Sequence, residues 1–113
     1  MVKKKSYIPS RREIVWLDFN PQSGHEQSGR RPAVVVSPVE YNRKSGLALF
    51  CPITSQKKDY PFEVELPLHG VIKGVILSDQ LKSLDWKARN VEFIESVSDE
   101  TINDVIAKVR VLL

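Results

Sequence analysis

Cysteine is nearly missing from this 113-residue chain, and the single Cys51 excludes an internal disulfide and fits a reducing compartment. Histidine occurs only at His25 and His69, so there is no His-x-x-x-His pair, and a zinc site built on these two would need further ligands. There is no glycine-rich phosphate loop, no pair of cysteines and no cluster of three carboxylates, so no metal site and no cofactor is expected. No apolar run approaches the ~20 residues that span a bilayer. The basic start, Lys3-Lys4-Lys5, leads into no apolar core and does not read as a signal peptide. A soluble, cytoplasmic protein without membrane contact is the expectation. Repeats, low-complexity stretches and linkers are also lacking. Residues 1–113 therefore read as one domain, with residues 1–8 flexible and fraying extending at least to Pro9.

What is present is enough apolar material for a core: 42% of the residues are hydrophobic and 27% charged, which excludes a disordered chain. The net charge of +3 is unevenly placed. Residues 1–31 hold seven Lys/Arg against three Asp/Glu, whereas residues 32–113 hold ten against eleven. The surplus is therefore N-terminal, and a local positive field favours a polyanion such as nucleic acid, although a basic tail kept for solubility gives the same count.

Apolar patterning gives five or six short strands and one terminal helix. Ile14 to Phe19 is β-branched and aromatic and stops at Asn20-Pro21. Pro32 starts a second strand, Ala33 to Ser37, apolar on both faces and so central. Val39 to Ser45 reads as a polar connection with one helical turn, closed by Gly46. Leu47 to Cys51 is a third strand, followed by a long polar loop from Pro52 to Pro61. Phe62 to Leu66 alternates strictly, and Gly74 to Leu77 and Val91 to Glu95 complete the set. Residues 81–90 read as a short helical turn. Ser98 is a good N-cap for a helix whose apolar face is Ile102, Val105, Ile106, Val109 and Leu112, and Asp99 and Glu100 suit its positive end. The class is α+β, a small twisted barrel with a C-terminal helix.

Between the first two strands lies Gly24-His25-Glu26-Gln27-Ser28-Gly29-Arg30-Arg31-Pro32, more polar than a chain reversal requires. It is either an anion site with an acid–base group beside it or a solvated connection. With Thr54 and Ser55 of the second long loop it supplies a proton acceptor in His25 or Glu26. It also supplies a guanidinium, Arg31, able to clamp two phosphate oxygens, and a hydroxyl for a third. These parts suffice for attack of an RNA 2′-hydroxyl on its own 3′-phosphate, which needs neither a metal nor a protein nucleophile. They serve equally as a passive phosphate site. Cys51, inside an apolar run, reads as an inert buried thiol, and His69, beside Gly70, as a solvated turn residue.

Several runs together resemble the MazF/PemK family of type II toxin–antitoxin toxins: Ile14 to Pro21, Gly24 to Pro38, Tyr41-Asn42, Cys51 to Gln56, Tyr60 to Val64, Asp79 to Ser83 and Lys87 to Arg89. The combination of Glu-Gln-x-Gly-x-Arg-Pro, Pro-x-Thr-Ser and Asp-Gln is specific, and the MazF branch is the nearer of the two. The resemblance implies an SH3-like barrel (PemK/CcdB-like), a homodimer, and a ribosome-independent endoribonuclease cutting single-stranded mRNA at short, ACA-like sequences. It implies catalytic roles for Arg31, Glu26, Thr54 and His25, and substrate contacts from Gln27, Arg30, Ser55, Phe62, Asp79 and Gln80. The PemK branch carries an arginine two positions before the aspartate, where this chain has Leu77. Protonation of the leaving 5′-oxygen therefore rests between Arg31 and His25, and a guanidinium gives up protons reluctantly.

Two other readings stand beside this one. A non-catalytic toxin of the same fold would bind a protein target, as the CcdB fold does, but has no need of Glu26, Arg31 and Thr54 together. A plain nucleic-acid-binding barrel fits the charge and leaves the polar loop unexplained. If the chain is a toxin, its inhibitor should be a MazE-like antitoxin with an acidic, disordered segment carrying apolar anchors, with Trp16 or Trp86 as candidate contacts.

Overall fold

The computed structural model describes residues 7–19 and 29–113. His25, Glu26 and Gln27 lie outside the described residues. Among those described, seven strands and two α-helices follow in the order β1 (Glu13–Phe19), β2 (Gly29–Val35), α1 (Val39–Ser45), β3 (Leu47–Thr54), β4 (Glu63–Glu65), β5 (Val75–Leu77), β6 (Lys82–Asp85), β7 (Glu92–Ser96) and α2 (Asp99–Val111), with a 3₁₀ turn at Ser78–Gln80. The sheet order is β4-β5-β3-β2-β1-β7, with β6 also on β3. Every pairing is antiparallel. This is the α+β architecture that the apolar pattern predicts.

Period-two alternation divides the central strands between two apolar clusters. Ile14, Val34, Cys51 and Ile53 join Val64, Ile76 and the buried stripe of α2, Ile102, Val105 and Val109. Val15, Leu17, Ala33, Val35, Ala48 and Phe50 face the other way, onto Trp86. Both faces of β2 are thus covered, as its unbroken apolar run requires. The Ser98 side chain accepts the Thr101 amide at 3.1 Å and starts α2 where expected. Leu112 is the exception on the expected apolar face: it lies past the last turn and is 52% exposed.

Other expectations change as well. β2 begins at Gly29 rather than Pro32, so Arg30 and Arg31 are strand residues. β3 continues through Pro52 to Thr54. Its outer side pairs with β6 over Leu47 to Phe50 and with β5 over Ile53 and Thr54. Pro52 falls between the two ladders, where its missing N–H interrupts neither. The segment after Leu81 is a strand, β6, because the free side of β3 offers a ladder to a sequence with only Leu84 to bury. Fraying does not reach Pro9. Pro9 is buried, Tyr7 and Ile8 pack against the Trp86 cluster, and the Tyr7 hydroxyl bonds the Glu13 carboxylate. Burial, and then that bond, push the Tyr7 phenol well above its usual range.

Trp86 is core, only 6% exposed, and its indole N–H donates to the Asn42 carbonyl at 3.1 Å. It is therefore unavailable as a partner contact, whereas Trp16 is half-buried. Asn42, fully buried, also donates to the carbonyls of Pro9 and Ser37 at 2.7 and 3.1 Å, which ties the N-terminal segment to α1. Gly46, at φ 74°, ends α1 with a left-handed cap whose N–H returns to the Asn42 carbonyl.

Candidate active site

The fold brings the start of β2 and the end of β3 to one level. Arg31 pairs with Leu17 of β1 and shares a face with Ala33 two residues on. Ala33 pairs with Pro52, and Thr54 stands two residues beyond Pro52 on that same face. Arg31 and Thr54 thus extend one cross-strand row past its last buried pair. Arg31 is exposed there and Thr54 half-buried. The Thr54 hydroxyl accepts the Gln56 amide at 3.2 Å, which turns the chain out of β3 and keeps the hydroxyl proton available for a second contact.

Thr54 also borders a cavity of ≈ 360 Å³ with Gln56, Lys58, Tyr60, Glu63, Leu77, Asp79 and Gln80. Asp79 and Gln80 reach it because the 3₁₀ turn follows β5 directly, with the Ser78 amide held by the Phe62 carbonyl at 3.0 Å. Asp79 is exposed, and the Tyr60 hydroxyl bonds its carboxylate; the negative charge of Asp79 is the main reason the Tyr60 phenol is raised above its ordinary value. Glu63 holds the outer wall, since its carboxylate accepts the amides of Lys58 at 3.1 Å and Tyr60 at 3.3 Å. The rings of Tyr60 and Phe62 lie 5.8 Å apart. Gly74 closes the back at φ 120°: a Cβ there would come within 2.1 Å of the Thr54 carbonyl oxygen.

Of the residues expected at substrate, Thr54, Asp79 and Gln80 line this cavity, and Arg31 stands beside Thr54 in the strand order. Ser55 is exposed at the turn. Phe62 is half-buried and supports Tyr60 without lining the cavity. Arg30 points away, onto the face of Asp18. The lining residues that sequence reading passed over are Gln56, Lys58, Tyr60 and Glu63. Tyr60 and Glu63 lay within a run used for the resemblance; what links them to the site is the return of loop 55–62 along β4, which no local pattern reports. Cys51 lies below Asp79, its thiol pushed up to about 12 by burial first and by the charge of Asp79 second, in keeping with an inert role.

A family described as the PemK-like, MazF-like toxin of type II toxin–antitoxin systems matches residues 10–113. The chain belongs to this PemK/MazF family. The endoribonuclease toxin MazF of Escherichia coli (strain K12) is 45% identical over 108 residues, 95% of this chain and 96% of its own. The crystal structure of MazF from Deinococcus radiodurans superimposes with a TM-score of 0.90 at 47% identity, covering 95% of this chain and 97% of that one. A MazE–MazF crystal structure from the same organism gives 0.85 at 41%, covering 95% and 96%. The PemK/MazF match spans every element from β1 to α2, including the strand ends that carry Arg31 and Thr54.

Proposed function

We propose that this chain is an endoribonuclease toxin of a type II toxin–antitoxin system that cleaves single-stranded mRNA in the cytoplasm and acts as a homodimer. The observation that carries the catalytic reading is the row shared by Arg31 and Thr54 at the open end of β2 and β3, beside the Asp79 cavity, in a PemK/MazF chain. Among the described residues no helix is long and apolar enough to cross a membrane.

The chemistry is an in-line transesterification. The RNA 2′-oxygen bonds to the adjacent phosphorus as the P–O5′ bond breaks, giving a 2′,3′-cyclic phosphate and a 5′-hydroxyl. Glu26 takes the proton of the 2′-hydroxyl. Arg31 meets the charge that grows on the non-bridging oxygens, and the Thr54 hydroxyl donates to one of them. The departing 5′-oxygen receives its proton from His25 or Arg31. Asp79, Gln80 and Gln56 offer acceptors and donors to the base edges of the strand, and Lys58 and Ser55 contact its backbone. His25, Glu26 and Gln27 complete the site from the segment between β1 and β2.

An acidic, disordered antitoxin segment should fold over the same site, meeting Arg31 and Lys58, and compete with RNA, with association that slows as salt rises. The test of the reaction is end chemistry. Purified protein should cut a single-stranded RNA in EDTA as well as without it, leaving cyclic-phosphate and 5′-hydroxyl ends, and one 2′-deoxy nucleotide at the cut should stop it. Cleavage of the deoxy substrate, or a requirement for Mg²⁺, contradicts the mechanism.

A further inference from the structure

Neighbouring arginines on β2 face opposite ways, and Arg30, though exposed, makes three hydrogen bonds within the protein. Its Nη1 donates to Asp18 Oδ1 at 2.8 Å, and its Nη2 donates to the Asn90 carbonyl at 2.8 Å and to Glu92 Oε1 at 3.0 Å. Asp18 is gripped from the other side as well: Asn90 Nδ2 donates to its Oδ2 at 2.7 Å, its backbone N–H donates to the Arg89 carbonyl at 2.9 Å, and the Arg89 guanidinium donates to its carbonyl at 3.2 Å. Asn90 holds a left-handed φ of 55°, which turns the chain after Trp86 back so that its carbonyl and amide both reach this cluster. The hydrogen bonds from Asn90 and Arg30 draw the Asp18 carboxyl below its ordinary range, and the Arg30 guanidinium is more firmly protonated in return.

The position of this cluster matters more than its strength. Asp18 is one residue from the end of β1, and Arg30 one residue from the start of β2. They are Cα partners across the last rungs of that ladder, one residue from Arg31. Glu92 on β7 and the Lys87–Asn90 turn fix both stems to the far side of the sheet. On this basis we infer that Arg30 is a positioning residue and not an RNA contact. With Asp18 and Asn90 it locks the facing ends of β1 and β2 and so sets where Arg31 stands. The inference rests on the endoribonuclease reading above.

The two roles for Arg30 predict opposite results. A phosphate ligand restrained by Asp18 would be released in Asp18→Asn, and RNA would bind more tightly. A positioning residue loses its partner in the same variant, and catalysis slows. The experiment compares wild type, Arg30→Ala, Asp18→Asn and the double variant by thermal melting. It adds the single-turnover cleavage rate and the affinity for a 2′-deoxy, uncleavable oligonucleotide from low to high salt. Each single variant should slow cleavage ~10–100-fold, as a misplacement of about 1 Å can, and the double should be no slower than the worse single. The salt slope of binding should stay at the wild-type value. A slope lowered by ~0.7, the signature of one lost phosphate contact on a single strand, overturns the inference. So does tighter binding by Asp18→Asn, or wild-type cleavage by either single variant. Asp18→Asn keeps the side-chain shape, so a misfolded Arg30→Ala still leaves the question answerable. RNA left intact by the wild-type protein overturns the endoribonuclease reading itself and this inference with it.

Discussion

Strands β2 and β3 lie side by side, and their two ends are built from opposite materials. At one end Val35 pairs with Phe50, both fully buried against Leu17, Ala48 and Trp86. At the other, the same face ends in Arg31 and Thr54, beside a cavity bordered by acids, amides and a lysine. One end carries the free energy of folding; the other spends some of it by holding polar groups at an open edge. The sheet makes this division possible, because a strand anchored at its buried end keeps its far end in place without packing there. Substitutions at the two ends should therefore separate stability from chemistry.

The largest effect should come from the closed end. Phe50→Ala removes a fully buried ring, and an unfilled cavity of that kind costs about 3–5 kcal/mol. The denaturation midpoint should fall sharply, while the fraction still folded cleaves RNA at a wild-type rate per molecule. A smaller effect, confined to chemistry, is expected from Thr54→Ala. Loss of one hydrogen bond to a charged oxygen should slow cleavage ~10–100-fold. The melting temperature should move little, since among the described residues the hydroxyl bonds only the exposed Gln56 amide. If Thr54→Ala unfolds the protein as Phe50→Ala does, the two ends are not separate.

Smallest of all is the response of Cys51, which sits between them. Its thiol is pushed up to about 12, so burial favours the neutral form. That contribution to stability is fully present below the ordinary thiol value and is lost as pH rises through about 12. Native protein at pH 8 should take up no iodoacetamide over hours in which denatured protein reacts completely. Rapid labelling of the native state would place the floor of the site open to solvent.

Apolar patterning was enough to place β1, β4, β5 and α2, because each buries apolar side chains where its type requires; β7 read as a strand although none of its residues is fully buried, and α1 read as a polar turn whose one buried residue is Asn42. β6 escaped the patterning, since that strand exists by pairing with β3 and buries little of its own. Gly29 to Arg31 read as loop for the same reason: polar residues at the end of a ladder are strand by hydrogen bonding, not by composition. That error hid the alternation that separates Arg30 from Arg31. The polar cluster around residues 24–32 and the Pro-x-Thr-Ser step pointed to Arg31 and Thr54. Lys58, Tyr60 and Glu63 were not legible, because they reach Asp79 only through the return of a loop along β4. Trp86, a candidate antitoxin contact in the sequence, is core, and the buried carbonyl of Asn42 gives its indole N–H a partner.

The most direct test of the account is Arg31→Ala, measured twice on one preparation: single-turnover RNA cleavage and thermal unfolding. The account predicts a cleavage rate lower by ~10²–10³-fold, as expected for one lost oxyanion contact, with the protein still folded at the assay temperature. Near-wild-type cleavage by folded Arg31→Ala would contradict it.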